Sequence, residues 1–300
     1  MSATYNATQN NRNLEPDGPT EKDFSRSGRH EHLDTDIDAD DALRRIRTTG
    51  SLSISPELFE KLYLSPQNRI AGDLRKTFGN PTPLALCGFL LSLTPLSCDL
   101  MGWRGAGGSG AASTAAYLFF GGLLMILGAV GEWIIGNTFP FVVFGSFGAF
   151  WLTFAGTLIP AYNSYGAYST TGSVADGLKT VGFQASFAFF LLWMGVLCFV
   201  YMICALRTNV VFFLIFAFLV PSFGCLAGAY WQLAQGNIAL YDQLIVAGGA
   251  LTFIVDILGW WIFVAIMLAS LDFPFQVPVG DLTHIIRGAS DRAKARGGEV

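Results

Sequence analysis

The sequence predicts an all-α integral membrane protein with six transmembrane helices, both termini in the cytoplasm and a disordered N-terminal tail. Composition is the first observation behind this fold class. Of 300 residues, 52% are hydrophobic and 13% are charged, and the mean hydropathy is +0.47. A soluble domain carries about 25% charged residues. Residues 1–76 hold 24 of the 40 charged side chains and residues 77–281 hold ten, so the longer segment suits a bilayer rather than water.

The N-terminal region is polar and is expected to stay outside the membrane. Residues 1–54 contain almost no large apolar side chains, and such a segment cannot bury enough surface to offset its ordering entropy. We therefore predict a disordered cytoplasmic tail. Residues 55–66 begin with Ser55-Pro56, an N-cap followed by proline at the first helical position. This segment is a candidate amphipathic helix, either on the membrane surface or docked on the rest of the chain.

The second observation is a series of six long apolar stretches within a membrane domain at 77–273. About 20 residues suffice for a helix to cross the hydrocarbon core, and each stretch exceeds that length. They lie at about 82–103, 114–135, 139–161, 182–206, 208–233 and 244–271. The alternation expected of a membrane-spanning β-strand is absent from them. Residues 274–300 form a predicted cytoplasmic C-terminal tail.

The third observation is the distribution of basic residues between the two sides that these helices define. Two basic residues fall on one side, Arg104 and Lys179. Eight fall on the other: Arg69, Arg75, Lys76, Arg207, Arg287, Arg292, Lys294 and Arg296. Cytoplasmic loops carry the excess of Lys and Arg. Both termini are therefore expected in the cytoplasm, in agreement with an even number of helices.

Signatures of catalysis and metal binding are missing from the apolar stretches. The three histidines lie outside them, and the five cysteines have no metal-ligand spacing. Neither a nucleophile–base arrangement nor a phosphate-binding loop is present. We expect no catalytic residues, no metal and no cofactor, and nothing in the charge distribution suggests nucleic acid as a partner.

The first apolar stretch opens with Asn80-Pro81-Thr82-Pro83-Leu84, a candidate substrate entrance. The two prolines remove backbone donors and fix φ, which predicts an extended or loosened first turn. The Asn80 amide and the free N–H groups of a helix start could receive a carboxylate. An ordinary helix-start signal explains the same residues, and the pattern alone does not separate the two interpretations.

Glu132 and Asp256 are the acidic residues most clearly inside the apolar stretches, where an ionised carboxylate costs several kcal/mol. Glu132 is near the end of the second stretch, so it has either a structural hydrogen-bonding role or a role at the mouth of a pathway. Asp256 is in the middle of the sixth stretch, with Thr252 and Trp260 on the same helical face. It is either a hydrogen-bonded structural residue or a proton relay.

Several motifs in register resemble the acetate uptake transporter family, which contains bacterial acetate–succinate permeases and fungal acetate permeases, some named ammonia/acetate outward transporters. The resemblance covers about residues 75–285. The matching segments are Asn80–Leu84 with Gly88-Phe89, Glu132-Trp133 with Gly136–Phe139, Phe147–Leu152, Ala247–Gly249 with Gly259–Trp261, and Val277–Leu282. The long polar tail is similar to that of fungal members.

The resemblance implies a six-helix protomer with its own pore, assembled as a hexamer in the plasma membrane. It places a hydrophobic constriction at Phe89 and Phe147, the second of which is usually Tyr in the family. It also implies transport of acetate or another small monocarboxylate, through a channel or with proton coupling. The candidate residues for the pathway and for proton handling are Glu132, Asn137, Thr138, Asp256, Trp260 and Trp261.

Two other functions remain open at this stage. Asp256, Trp260 and Trp261 could favour a cation through carboxylate and aromatic contacts, which would suit ammonium or ammonia export. A sensor or membrane organiser that transports nothing is the second alternative, because the long tail suits regulation.

Overall fold

Six helices long and apolar enough to cross a membrane make up nearly all of the computed structural model, which describes residues 77–282 and two short backbone segments nearer the N-terminus. The sequence prediction of six membrane helices is confirmed. Their bounds are α1 Thr82–Leu100, α2 ending at Ile134, α3 Thr138–Leu158, α4 Val181–Ala205, α5 Val210–Ala234 and α6 Ile238–Ser270. Helix α6 begins earlier than the predicted residue 244, because the Asn237 side chain accepts a hydrogen bond from Leu240 N and starts the helix there.

The helices run alternately up and down, so their termini gather at two ends of the bundle. The Thr82 end holds the first residues of α1, α3 and α5. The Asp99 end holds the last residues of those helices and the connections that follow them. The basic-residue bias predicts that the Thr82 end faces the cytoplasm.

Helix α2 is composite, and its irregular part lies where it packs most closely. A 3₁₀ segment at Gly108–Ser113 precedes α-helix at Thr114–Ala116, π-helix at Tyr117–Leu124 and α-helix again at Met125–Ile134. A Cβ on Gly121 would lie 2.4 Å from Trp151 Cγ of α3. Small residues allow such close approach between membrane helices, and π-helical turns are frequent at functional sites.

A strap of residues 277–282 returns from α6 to cover the start of α5. Val210 N donates to Gly280 O (3.2 Å), and Val211 N donates to Val279 O (3.3 Å). The Asn209 side chain accepts from Phe212 N at 2.8 Å. A helix start leaves four N–H groups without partners inside the helix, and these contacts satisfy three of them. Val279 is buried in the core with 3% exposure, so the strap is part of the folded domain.

The predicted N-terminal tail is described only at two short strands. Their backbones, Glu31–Leu33 and Leu52–Ile54, pair in parallel. The rest of the tail, the candidate amphipathic helix at 55–66 and the C-terminal residues 283–300 lie outside the described residues.

Candidate transmembrane pathway

Three cavities follow one another through the bundle, and residues of α1, α3 and α5 line all of them. A vestibule of about 260 Å³ opens at the Asp99 end. It shares Leu96, Leu100, Phe150 and Leu226 with a middle cavity of about 30 Å³. An inner cavity, also of about 30 Å³, lies nearer the Thr82 end and is lined by Leu86, Met125 and residues of the first half of α5. The bundle therefore contains a nearly continuous, narrow route along its axis.

Three side chains separate the middle cavity from the inner one. Phe89 of α1, Phe147 of α3 and Leu219 of α5 line both cavities. Their exposures are 6%, 4% and 2%, and the two phenyl rings meet edge to face with centroids 6.0 Å apart. The structure thus brings together the two phenylalanines expected at a constriction. It adds Leu219, which sequence analysis did not single out. We call these three residues the ring.

The route is dry on both sides of the ring. Every side chain that lines the inner cavity is apolar. The middle cavity adds Ser222 and Thr252, whose hydroxyls both donate to the Gly248 carbonyl oxygen at 3.1 Å. It also adds Trp151, whose indole Nε1 has no hydrogen-bond partner among the described residues. A cavity of about 30 Å³ has room for one or two water molecules. A narrow apolar constriction of this kind can gate flow by dewetting.

A buried polar cluster connects three helices at the Thr82 end. Glu132 is fully buried and accepts hydrogen bonds from the Thr82 hydroxyl and from Asn137 Nδ2, the latter at 2.6 Å. Thr82 starts α1, Glu132 lies near the end of α2 and Asn137 precedes α3. The carboxylate therefore fixes the relative positions of these helix ends. The arrangement suits both roles expected for Glu132, since the cluster lies at one mouth of the bundle.

The entrance motif acts locally as a helix start. Asn80 Oδ1 accepts from Thr82 N at 2.9 Å, which occupies the amide oxygen of this side chain. Leu84 points outwards with 42% exposure, and Pro81 and Pro83 are half-buried. The motif thus begins α1 and orients Thr82 towards Glu132.

Asp256 lies between α6 and α1, beside the route rather than on it. It is 1% exposed, and its Oδ2 accepts from the Ser97 hydroxyl at 2.7 Å. Its Oδ1 has no hydrogen-bond partner among the described residues. Asp256 is not among the residues that line the three cavities. In this position Asp256 makes a hydrogen-bonded contact between α6 and α1.

The remaining candidates lie on the outside of the bundle. Trp260 and Trp261 are 38% and 46% exposed. Their indole N–H groups donate to Thr94 Oγ1 (3.2 Å) and to Pro278 O (2.8 Å), respectively. Thr138 is exposed at the start of α3. None of the three lines a cavity described above.

The vestibule carries acidic side chains that sequence analysis did not assign a role. Asp99 and Asp242 line it together with Tyr230, Tyr241 and Ser109, and no lysine or arginine is among its lining residues. Asp99 lies near the end of the first predicted stretch and Asp242 lies just before the sixth. In sequence, both positions look like ordinary helix boundaries. No group of three potential metal ligands occurs in the part of the chain that the structure describes.

Residues 64–284 match the profile of the GPR1/FUN34/yaaH family. The chain belongs to this family. Protein alcS of Aspergillus fumigatus is 49% identical over 235 residues, which are 78% of this chain and 86% of that protein. Acetate transporter protein patA of Aspergillus clavatus is 31% identical over 213 residues, which are 69% of this chain and 80% of that one.

A solved structure shares the family fold. The structure of the bacterial acetate channel SatP matches with a TM-score of 0.52 and 23% identity, covering 68% of this chain and 99% of that one. The match confirms the six-helix architecture. The family resemblance drawn from the motifs is also confirmed, because the profile spans all of them.

Proposed function

We propose that this protein transports acetate, or a similarly small monocarboxylate, across the plasma membrane. The observation that carries the proposal is the dry ring of Phe89, Phe147 and Leu219 in the middle of an aligned series of cavities. Cavities that hold one or two waters admit a solute of a few heavy atoms. The relative patA is named as an acetate transporter, and SatP is described as an acetate channel. The proposed activity is transport rather than catalysis.

The ring also bears on the form in which the acid crosses. An ionised carboxylate is far costlier to move into apolar surroundings than a neutral polar group. No charged side chain lines the middle or the inner cavity. Passage is therefore favoured for the undissociated acid, or for acetate accompanied by a proton. A channel and a proton-coupled carrier both satisfy this condition.

The positions of the remaining candidate residues in the bundle suggest their roles in transport. Phe89 and Phe147 form the constriction, and the cluster of Thr82, Glu132 and Asn137 shapes the mouth at the cytoplasmic end. Asn80, Pro81 and Pro83 start α1 and so place Thr82 at that mouth. We further propose a homo-hexamer with cytoplasmic termini, in line with the family resemblance and the bias of basic residues.

The direct test is flux of labelled acetate into liposomes that contain the purified protein, with and without a pH gradient. Uptake should rise as the external pH falls towards the pKa of the acid, and it should collapse when a protonophore removes the gradient. Uptake that stays flat across that pH range would refute passage of the protonated acid. Labelled ammonium in parallel vesicles tests the alternative substrate, and protein that moves neither solute would favour a sensor or organiser.

A further inference from the structure

The indole N–H of Trp151 has no hydrogen-bond partner among the described residues, although the side chain is only 1% exposed. Buried polar groups in folded proteins are nearly always hydrogen-bonded, and one that is not calls for an explanation. Trp151 belongs to α3 and lines the middle cavity, next to the ring on its Asp99 side. A residue on the wall of the route thus holds an unused hydrogen-bond donor.

The neighbours of this indole hold it firmly in position. It stacks on the Tyr117 ring with centroids 5.1 Å apart, and Phe150 packs edge to face against it at 5.3 Å. Tyr117 begins the π-helical segment of α2, and Gly121 in the same segment leaves room for Trp151 Cγ. The irregular part of α2 therefore serves to position the indole.

Ser222 of α5 and Thr252 of α6 supply acceptors on the wall of the same cavity. The Ser222 hydroxyl donates to Gly248 O at 3.1 Å. The Thr252 hydroxyl lies 3.1 Å from Gly248 O and 2.8 Å from Gly249 O, and it directs its proton to these carbonyls. A hydroxyl oxygen has two acceptor lone pairs besides its one proton, so both side chains can still accept. The other side chains that line the cavity are apolar.

We propose that Trp151, Ser222 and Thr252 form a docking site for the undissociated acid. The carbonyl oxygen of the acid accepts from the Trp151 N–H, and its O–H donates to the hydroxyl of Ser222 or Thr252. The inference rests on the proposed function and deepens it, because it assigns the choice of protonation state to the middle cavity. A cavity of about 30 Å³, with room for one or two water molecules, brings these groups within reach of one small solute.

The same three side chains match the ionised acid poorly. A carboxylate has acceptors only, so Ser222 and Thr252 could donate to it only by giving up their bonds to the α6 carbonyls. No cationic side chain lines the cavity to balance its charge, and burial of an unpaired charge is far costlier than burial of a neutral polar group. The site therefore selects the neutral form through its pattern of donors and acceptors, in agreement with the apolar ring beside it.

The first test follows the indole N–H signals of ¹⁵N-labelled protein in lipid nanodiscs by NMR. The chain has seven tryptophans, and the Trp151 signal is the one absent from the variant Trp151→3-benzothienylalanine. This analogue keeps the fused rings and replaces the N–H group by sulfur, so it preserves the packing against Tyr117. Acetate at pH 5 should move the Trp151 signal downfield. The same total concentration at pH 7, where a carboxylic acid is almost entirely ionised, should leave it in place.

The second test measures the KM of acetate uptake into liposomes at pH 5, after subtraction of the flux through protein-free liposomes. Trp151→3-benzothienylalanine should raise the KM about fivefold, the usual effect of losing one hydrogen bond. The double variant Ser222→Ala/Thr252→Val should raise it by a similar factor. Trp193→Phe is the matched control, because Trp193 is 66% exposed on α4, and it should keep the wild-type KM. A folding defect lowers the maximal rate per inserted protein and leaves the KM unchanged.

Three results would overturn the docking site while acetate transport stands. The Trp151 signal could ignore acetate at pH 5 or shift equally at both pH values, the benzothienylalanine variant could keep the wild-type KM, or wild-type flux could rise with concentration without saturating. If wild type carries no acetate at either pH, the proposed function fails. The NMR signal then still decides whether Trp151 binds the acid.

Discussion

Leu219→Ala tests whether the ring limits the rate of transport. Leu219 is 2% exposed and lies between two cavities of about 30 Å³ each. Shortening it should join them into one water-filled passage beside Phe89 and Phe147. An acid that crosses the ring has to give up its water there, and an unmet hydrogen bond of a polar group costs about 1–3 kcal/mol.

The expected increase in transport rate can be worked out from one water molecule that stays bound to the acid in the ring. A single hydrogen bond carried through the ring recovers about 1 kcal/mol, which is about fivefold in rate. The same substitution removes buried apolar contacts, and a core Leu→Ala costs about 2–5 kcal/mol of stability. Leu219→Ala should therefore transport acetate faster while melting at a lower temperature than wild type.

The assay is initial acetate flux in liposomes at pH 5, normalised to inserted protein, with a branched five-carbon acid as a second substrate. Leu127→Ala is the control, because Leu127 is 49% exposed on the outer face of α2. Flux of both acids should increase in Leu219→Ala, the larger acid by the greater factor. If Leu219→Ala and Leu127→Ala both transport at the wild-type rate, the ring is not the main resistance.

Two stability predictions concern the Thr82 end and the strap, and both are measured as melting temperature in detergent. Thr82→Val removes a donor to the buried Glu132 carboxylate, so it should cost about 1.5–3 kcal/mol. Thr138→Val, exposed at the same end, should have little effect, and equal melting of the two variants would refute the role of the cluster. Gly280→Ala should destabilise more than Gly236→Ala. Both glycines have positive φ (70° and 78°), but only at 280 would the added Cβ meet a side chain of α5, at 2.6 Å; equal losses would mean that the strap packs loosely.

The helices could be predicted because the bilayer imposes a strong constraint on composition. Ten charged residues across positions 77–281 leave no other environment for this segment. The exact helix ends were harder to predict from the sequence, because they depend on single hydrogen bonds such as the one between Asn237 and the start of α6.

The ring was predicted in part. Phe89 and Phe147 came from motifs, whereas Leu219 is one of many apolar residues in α5 and nothing in its neighbours distinguishes it. Leu219 belongs to the ring only because α1 and α3 place Phe89 and Phe147 opposite it between the two cavities. The pattern could not show that Glu132 binds Thr82 either, because these residues are fifty positions apart and meet only when α1 and α2 pack.

Asp256 shows the limit of reasoning from a single helix. Its position in the middle of α6, on a face shared with Thr252, made it a candidate for either a hydrogen-bonded structural residue or a proton relay. Thr252 does line the middle cavity, but Asp256 turns to Ser97 of α1 instead. Residues one turn apart can thus face different partners, and only the packing of α1 decides which one faces the route.

The strap has a consequence for the order in which the chain is made. Helix α5 is synthesised well before Val279 and Gly280, yet the first amides of that helix find their acceptors on those two residues. In the growing chain, this end of the bundle is incomplete until the strap has left the ribosome. A protein truncated before residue 279 would keep six apolar helices but would present unpaired amides at the Thr82 end. Such exposed groups would distinguish an unfinished transporter from a finished one during cellular quality control.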